Sequence, residues 1–585
     1  MRISGRLSGY LGIFLLCLLA GFPSHAETKV PEKEIVSEPV IDETFDEFYD
    51  FIILGDPPEE DSLQDNTPQD NVAELAPAPT ENIPADKALF DRIESLGILS
   101  NLREGAMEKS IWKGQKRSDI YNAIASLPAR HGMISAQQLK RNLLLSQTDT
   151  HLIDNNIELV AGKDLLDLRL QKLVEMGESH EPLELYRSIG GDPYHENLAR
   201  TGILLVLYHG DFATACLEEK VLAPRYPGSR FWILLDQSCQ ITLGMLSADK
   251  ADFSDSKVLD TLFKNPGFMV RADDTVTLSG LSALERGIVA AQGRIDFSPL
   301  SKNPATIKDL RSDMLALFIN TTSLPEGLLF PLQTEAFARG LMTLPEMRKA
   351  DPDYKRIFEM ETLAEQWTAI SQKLSTESSP ARLRHYGALL KLSRPENLSQ
   401  NLLMRIFAIF LLSGERIPDF WMQKLEDLAT KHPENYVYLQ GIKSLGIADT
   451  PPEVSTEALK SGLSALPGDQ ALHALSLIEV LDSTLETDHN PLKVYEKELG
   501  LTLSTDYVMP RVDLLETLNT ALAKQHTGIV VLSSLEILQG NTGTTHPDVL
   551  KQVLGSLKIV GLIEETKKMN QEWLAGLLTQ TKKGE

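Results

Sequence analysis

The sequence predicts an all-α protein: a body of helical hairpins repeated as an α-solenoid or superhelix, behind a disordered acidic N-terminal arm. Three observations predict it. From about Pro84 onward, apolar residues recur mainly at three- and four-residue spacing, the period of a buried helix face. Turn residues interrupt that pattern roughly every 12–20 positions, the rhythm of short helices joined as hairpins. Strand signals are few: Phe268 to Leu278 alternates weakly, and no strand–helix alternation points to a doubly wound sheet. The 585 residues, 42% hydrophobic and 24% charged, suit a soluble globular chain and exclude a collagen, a wholly disordered chain or a membrane channel. The net charge of −25 would repel a phosphate backbone, so nucleic acid is not an expected partner.

The first 26 residues read as a secretory signal peptide. Arg2 and Arg6 precede an apolar run from Tyr10 to Phe22, and Pro23 and Ser24-His25-Ala26 supply a small-x-small cleavage site. The run is shorter than the ~20 residues needed to span a bilayer, which favours cleavage over anchoring. Phe14-Leu15-Leu16 before Cys17 lacks the small residues of a lipoprotein signal. Further on, the most apolar stretch is Leu402 to Leu412, and Arg405 breaks it. The mature chain is therefore expected in a bacterial periplasm, with no integral membrane segment.

Residues 27–87 form the acidic arm. They hold 18 Asp or Glu against 3 Lys or Arg, a net −15, and 8 of the 31 prolines. Such a composition cannot bury enough apolar surface to fold. One island inside it is amphipathic: Phe45, Phe48, Tyr49, Ile52 and Ile53 fall on one face of a helix. Thr44 and Glu47 have capping-box spacing, and Gly55 and Pro57 supply a stop. A helix this short is marginal alone in water, so residues 44–54 are read as a docking segment that gains order in a groove, either on its own helical body or on a partner.

The body, 88–585, carries the remaining −12 and is expected as two helical lobes, 88–300 and 301–585. Leu165 to Leu173 follow a helix opened near Gly162, and Leu198 to Leu207 form one that is apolar nearly all round. Helix starts are read at Ser323-Leu324-Pro325-Glu326, Ser379-Pro380 and His432-Pro433-Glu434, the last ending near Gly446. Cys216 and Cys239 fall in helix-like segments, Asp211 to Leu222 and Ser229 to Leu243. Pro224, Tyr226, Pro227 and Gly228 make a turn between them. In an antiparallel hairpin, residues equidistant from the turn face each other, so the two sulfurs can meet. An oxidising compartment favours a disulfide over two buried free thiols.

The stretch Gly210-Asp211-Phe212-Ala213-Thr214-Ala215, with Pro227 twelve residues beyond Ala215, resembles the middle and end of a tetratricopeptide repeat. In that family a G-D-Y-x-x-A segment starts the second helix and the proline closes the unit. The resemblance covers one unit of the chain, and Gly202 stands one position out of register in the first helix. It implies a repeat-like helical fold and peptide binding. Ser126-Leu127-Pro128 to Leu145 and Phe330 to Leu344 also resemble uncharacterised exported helical proteins of proteobacteria.

No catalytic set is recognisable. The twelve histidines include no His-x-x-x-His pair, and with two mature cysteines no zinc site is expected. Phosphate loops, nucleophile elbows and calcium loops are missing, and no cofactor is expected. Ser110 to Lys113 and Ser247 to Lys250 have S-x-x-K spacing without the companion motifs of penicillin-binding enzymes. Gly340-Leu341-Met342 resembles the G-L-M-Q element of lytic transglycosylases, but Glu335 lies only five residues before it and lacks the E-S-x-F context. Gly340 also reads simply as a helix C-cap. Phe231, Trp232, Phe420, Trp421 and Tyr436 are read as inter-helix packing. The expected function is a non-catalytic periplasmic scaffold or assembly protein that binds other envelope proteins. The alternatives are a peptidoglycan-active enzyme or its helical accessory, and a motility or secretion accessory.

Overall fold

The structure is a computed structural model. It describes residues 92–580, apart from 103–104, 155–163, 192, 194, 273–279, 482–506 and 541–542. The segments read as signal peptide, acidic arm and docking helix (with Phe45, Phe48, Tyr49, Ile52 and Ile53), and Gly162, lie outside the described residues.

Helices dominate, and local chemistry sets their ends. Asp164 caps Leu165–Met176 by accepting from the Asp167 N–H, and Gly177 ends that helix at φ 94°, a conformation that costs a glycine little. Full capping boxes open Leu344–Ala350 (Thr343 with Glu346) and Leu363–Thr376 (Thr362 with Glu365). Asn435–Leu445 follows His432-Pro433-Glu434 and stops at Gly446, φ 63°. One of the expected starts differs. The helix at Ser323-Leu324-Pro325-Glu326 runs Glu326–Ala338 with extended Pro325 in the cap position, so Ser323 stands outside it. Pro380–Leu383 begins as read, with Ser379 in the cap position and the proline first, although the Ser379 side chain makes no capping bond; it passes into a tight turn, Arg384–Tyr386. Where weak alternation is read, Val270–Arg271 pairs in parallel with Ile295–Asp296, the only sheet among the described residues.

Consecutive helices pair as hairpins. Glu196–Tyr208 packs on Phe212–Leu222, which packs on Arg230–Thr242; Asp419–Ala429 packs on Asn435–Leu445. Glu196–Tyr208 is buried from Leu198 through Tyr208 on nearly every side, so it is central, as its sequence reads. Long-range packing adds to this succession. Arg117–Ser126 lies on Thr527–Ile537, and Ile134–Leu145 on Ile563–Thr579. The Ile134 and Ser135 N–H groups donate to the Glu572 carboxylate at 2.6 and 2.9 Å. Gly528 approaches the Trp112 ring so closely that a Cβ there would lie 2.3 Å from it. In an open solenoid each repeat touches only its neighbours; here early and late helices share a core. Position 300 lies inside the short helix Ser298–Lys302, and the described helices belong to one compact unit, 81–585.

The strongly apolar helix Gln400–Ser413 buries Ile406 to Leu411 against Ile563–Thr579. Each such large side chain, fully buried, stabilises the fold by roughly 1.5–3 kcal/mol before ordering costs. No helix among the described residues is long and apolar enough to cross a membrane.

Candidate functional site

The two cysteines are brought together. Cys216 on Phe212–Leu222 and Cys239 on Arg230–Thr242 form a disulfide, with their Cα atoms 5.6 Å apart. The turn between these antiparallel helices places them opposite one another, as their equal distance from it requires. The bond locks a hairpin whose outer face exposes Leu217 and Val221, one helical turn apart.

Behind this hairpin lies a cleft of about 660 Å³. Leu204 and Tyr208 of the central helix, Phe231 and Leu234 of the Cys239 helix, and Leu284 of Ala283–Ala291 give it apolar walls. Three arginines rim it. The Arg200 guanidinium lies 5.4 Å from the Phe231 ring centre, a cation–π arrangement, and bonds Glu196. Arg286 donates to the Leu281 carbonyl at 2.6 Å, and Arg311 grips Asp313 with two bonds of 3.0 and 2.8 Å. Beneath the cleft, Asp167 accepts from Thr201 at 2.6 Å and from Gln171 at 2.8 Å. Burial, with Asp164 beside it, pushes the Asp167 carboxyl up to about 6. Asp164 in turn holds His195. Burial alone would lower the His195 pKa, but Asp164 reverses the sign and raises it.

A second, more polar cleft of about 740 Å³ contains a charge cluster. Arg141 contacts Glu178 through Nε at 3.2 Å and binds Glu181 through Nη2. The two carboxyls also hydrogen-bond to each other. Burial pushes Glu178 up to about 8, so it is protonated at neutral pH and donates. Glu181 also feels burial, but Arg141 outweighs it and leaves its pKa lowered. The Gly340-Leu341-Met342 segment walls this cleft. Gly340, at φ 78°, follows the end of Glu326–Ala338, the C-terminal role its sequence suggests. Glu335 is not a free acid. It is buried, with one oxygen held by Arg339 at 2.8 Å and the other by Arg382 at 2.8 Å.

Trp232 is buried against Tyr226, and the Trp421 indole donates to the Leu390 carbonyl at 2.9 Å, so both are packing residues. Phe231 packs edge-on against Trp232, with ring centres 5.0 Å apart, and also lines the first cleft. Sequence reasoning did not single out Arg141, Glu178, Glu181, Arg200 or Arg286. Arg141, Arg200 and Arg286 come from separate helices, and Glu178 precedes Glu181 by three residues at the start of His180–Arg187, a spacing too common to stand out in the sequence. Among the described residues, no group of three or more His, Cys, Asp or Glu side chains could hold a metal ion. Compared with family models, with characterised proteins and with solved structures, the chain matches none.

Proposed function

We propose that this chain is a binding protein: an exported scaffold or assembly factor of the cell envelope that works in the periplasm through repeat-like helical surfaces. The observation that carries this reading is the cleft over Leu204, Tyr208 and Phe231, rimmed by Arg200, Arg286 and Arg311. Apolar pockets that accept an anchoring side chain, edged by arginines, have the composition of protein–protein hot spots. The occupant they suit is a segment of another envelope protein that pairs an aromatic or aliphatic anchor with acidic neighbours. The hairpin beside the cleft carries the Gly210-to-Ala215 segment that resembles a tetratricopeptide unit, which agrees with a peptide-binding role. Residues 44–54 of the acidic arm supply a second contact in the same reading.

The test is a photo-crosslinking residue at position 231 in the periplasm of cells making the full chain. Discrete adducts with an envelope protein, lost when Arg200 and Arg286 are both changed to Glu in a folded variant, support the proposal. Adduct patterns no different from those at an exposed control position such as Lys257 refute it.

One observation favours the peptidoglycan-active alternative. Glu178 is a cleft carboxyl whose pKa burial pushes up to about 8, a property a glycosidic general acid requires. Turnover of purified cell wall that disappears in Glu178→Gln, with the fold intact, would establish that reading over the scaffold.

A further inference from the structure

Asp167 lies under the cleft lined by Leu204, Tyr208 and Phe231 and is only 3% exposed. Its carboxylate accepts from the Thr201 hydroxyl at 2.6 Å and from the Gln171 amide at 2.8 Å. Both donors are neutral, and both line the cleft. Buried Glu335 and Glu94 have arginines, the first Arg339 and Arg382, the second the fork of Arg117. Among the described residues, no lysine or arginine pairs with Asp167. An anion enclosed in this way is costly, and a second carboxylate beside it adds to the cost. That carboxylate is Asp164, which caps the same helix by accepting from the Asp167 N–H at 2.6 Å and places its other oxygen on His195. Burial and Asp164 push the Asp167 carboxyl up to about 6, and Thr201, Gln171 and His195 offset only part of this.

Charged groups of the helices packed on Leu165–Met176 point to other partners. From Arg117–Ser126, the Tyr121 phenol lies in the field of both carboxylates and stays neutral, since burial raises its pKa. Lys140 of Ile134–Leu145 is turned towards Lys172, Glu175 and Glu178, and Arg141 binds Glu178 and Glu181. Arg200 of Glu196–Tyr208 bonds Glu196, and Asp313 of Ser312–Ile319 is gripped by Arg311. On its own helix, Arg169 brackets the carbonyls of Leu144, Leu96 and Ser146.

We propose that Asp167 makes occupancy of this cleft proton-linked: protonation removes the negative charge beneath the floor, so an acidic segment binds more tightly in mild acid and takes up a proton as it binds. This rests on the scaffold reading, in which the cleft takes a segment with acidic neighbours. The segment does not touch Asp167. It meets Thr201 and Gln171, and the charge one hydrogen bond below them acts across a poorly screened layer, where Coulomb interactions are strong. With Asp167 ionised, carboxylates drawn in by Arg200, Arg286 and Arg311 are opposed from beneath. By linkage, the bound segment raises the proton affinity of Asp167 by the same factor that the proton raises the affinity for the segment.

The first arm of the test needs no partner. Urea unfolding of the full mature chain compares wild type with Asp167→Asn, which keeps the shape and an acceptor for Thr201 but cannot ionise. A carboxyl at about 6 in the fold and 3.8 when unperturbed contributes stability at low pH that is lost as pH rises through 6. The unfolding equilibrium of wild type should therefore shift towards the folded state, relative to the variant, by about tenfold between pH 8 and pH 5. In the second arm, the partner recovered in the position-231 adduct is purified and titrated onto the mature chain at pH 5.5 and 7.5. The ratio of the two affinities should be about fivefold larger for wild type than for Asp167→Asn, the lower end of ordinary coupling between sites. The variant should also bind more tightly than wild type at pH 7.5. Asp164→Asn, which keeps Asp167 but removes the neighbouring charge, should move the binding transition to lower pH. A stability difference independent of pH, or equal pH dependence of binding in wild type and Asp167→Asn, overturns this inference and leaves the scaffold reading standing. Absence of any discrete position-231 adduct overturns the scaffold reading and this inference with it.

Discussion

Changing Glu335 to Gln removes the one negative charge shared by Arg339 and Arg382. Arg339 is only 4% exposed, and besides its 2.8 Å bond to Glu335 it donates to Leu310 and Lys308 carbonyls at 2.6 and 2.9 Å. It ties the end of Glu326–Ala338 to the 304–310 segment. Breaking a buried ion pair from one side leaves an uncompensated charge and costs about 3–5 kcal/mol. The Arg382 side chain is 31% exposed, so its bond to Glu335 adds only the surface-pair amount, about 0–1 kcal/mol. Glu335→Gln should therefore destabilise by about 3–5 kcal/mol, and Arg339→Met by a similar amount, because it leaves buried Glu335 with only the partly exposed Arg382 and strands two carbonyls. The double variant should cost well below the sum of the two, since each single change already strands the other's partner. Urea unfolding at pH 7 reads this as a lowered midpoint at unchanged slope. A Glu335→Gln protein within about 0.5 kcal/mol of wild type, the ordinary range for surface changes, would sink the argument that this pair holds the two segments together. The same measurement protects the functional question: a Glu335 variant that loses cell-wall turnover while keeping full stability would mark Glu335 as catalytic.

Three further predictions are independent of that one. The Cys216–Cys239 bond closes a loop with a sequence separation of 23, so replacing both cysteines by Ser should cost roughly 3 kcal/mol on the chain-entropy model. Thiol titration of the unreduced, denatured mature protein should find no free thiol, and two titrating thiols would contradict the pairing. Gly202→Ala would place a Cβ 1.9 Å from the Tyr186 ring, an overpacking expected to cost about 1–3 kcal/mol; Tyr186→Leu in the same chain should recover part of it in denaturant melts. Lys140 is fully buried, with Nζ donating to the Pro128 and Ala129 carbonyls at 2.5 and 3.1 Å, and burial, with Lys172 nearby, lowers its pKa from 10.5 to about 7. The unfolded chain then binds more protons than the folded one between about pH 7 and 10.5, so this group's penalty is full below that window and vanishes above it. Wild type should gain stability relative to Lys140→Met from pH 7 to pH 10, and a difference independent of pH would contradict the lowered pKa.

Helices whose signals are local were legible from the chain alone. Asn435–Leu445 sits between its proline-led start and Gly446, and the Cys216 and Cys239 helices match their expected spans to within a residue. Ser323 misled because the start was assigned by the order of residue types, whereas Pro325 holds the cap position and leaves Ser323 outside. The Arg141, Glu178 and Glu181 cluster left no linear trace. A raised carboxyl pKa is made chiefly by burial, which is set by how the helices pack and not by the local sequence.

By itself the sequence determined that this protein is helical, because a 3.6-residue period and cap chemistry act over a few positions. It also determined that Cys216 can meet Cys239, because a turn midway between them is a local fact. Only the tertiary structure decided which side chains share a cleft, that the helices near residues 117–145 pack on those near 527–579, and that Arg405, visible in the sequence as a flaw in an apolar run, encloses its Nε and Nη2. The reason is physical. Secondary structure is set by neighbours along the chain, while burial, pairing and pKa are set by neighbours in space, which are chosen only when the helices pack.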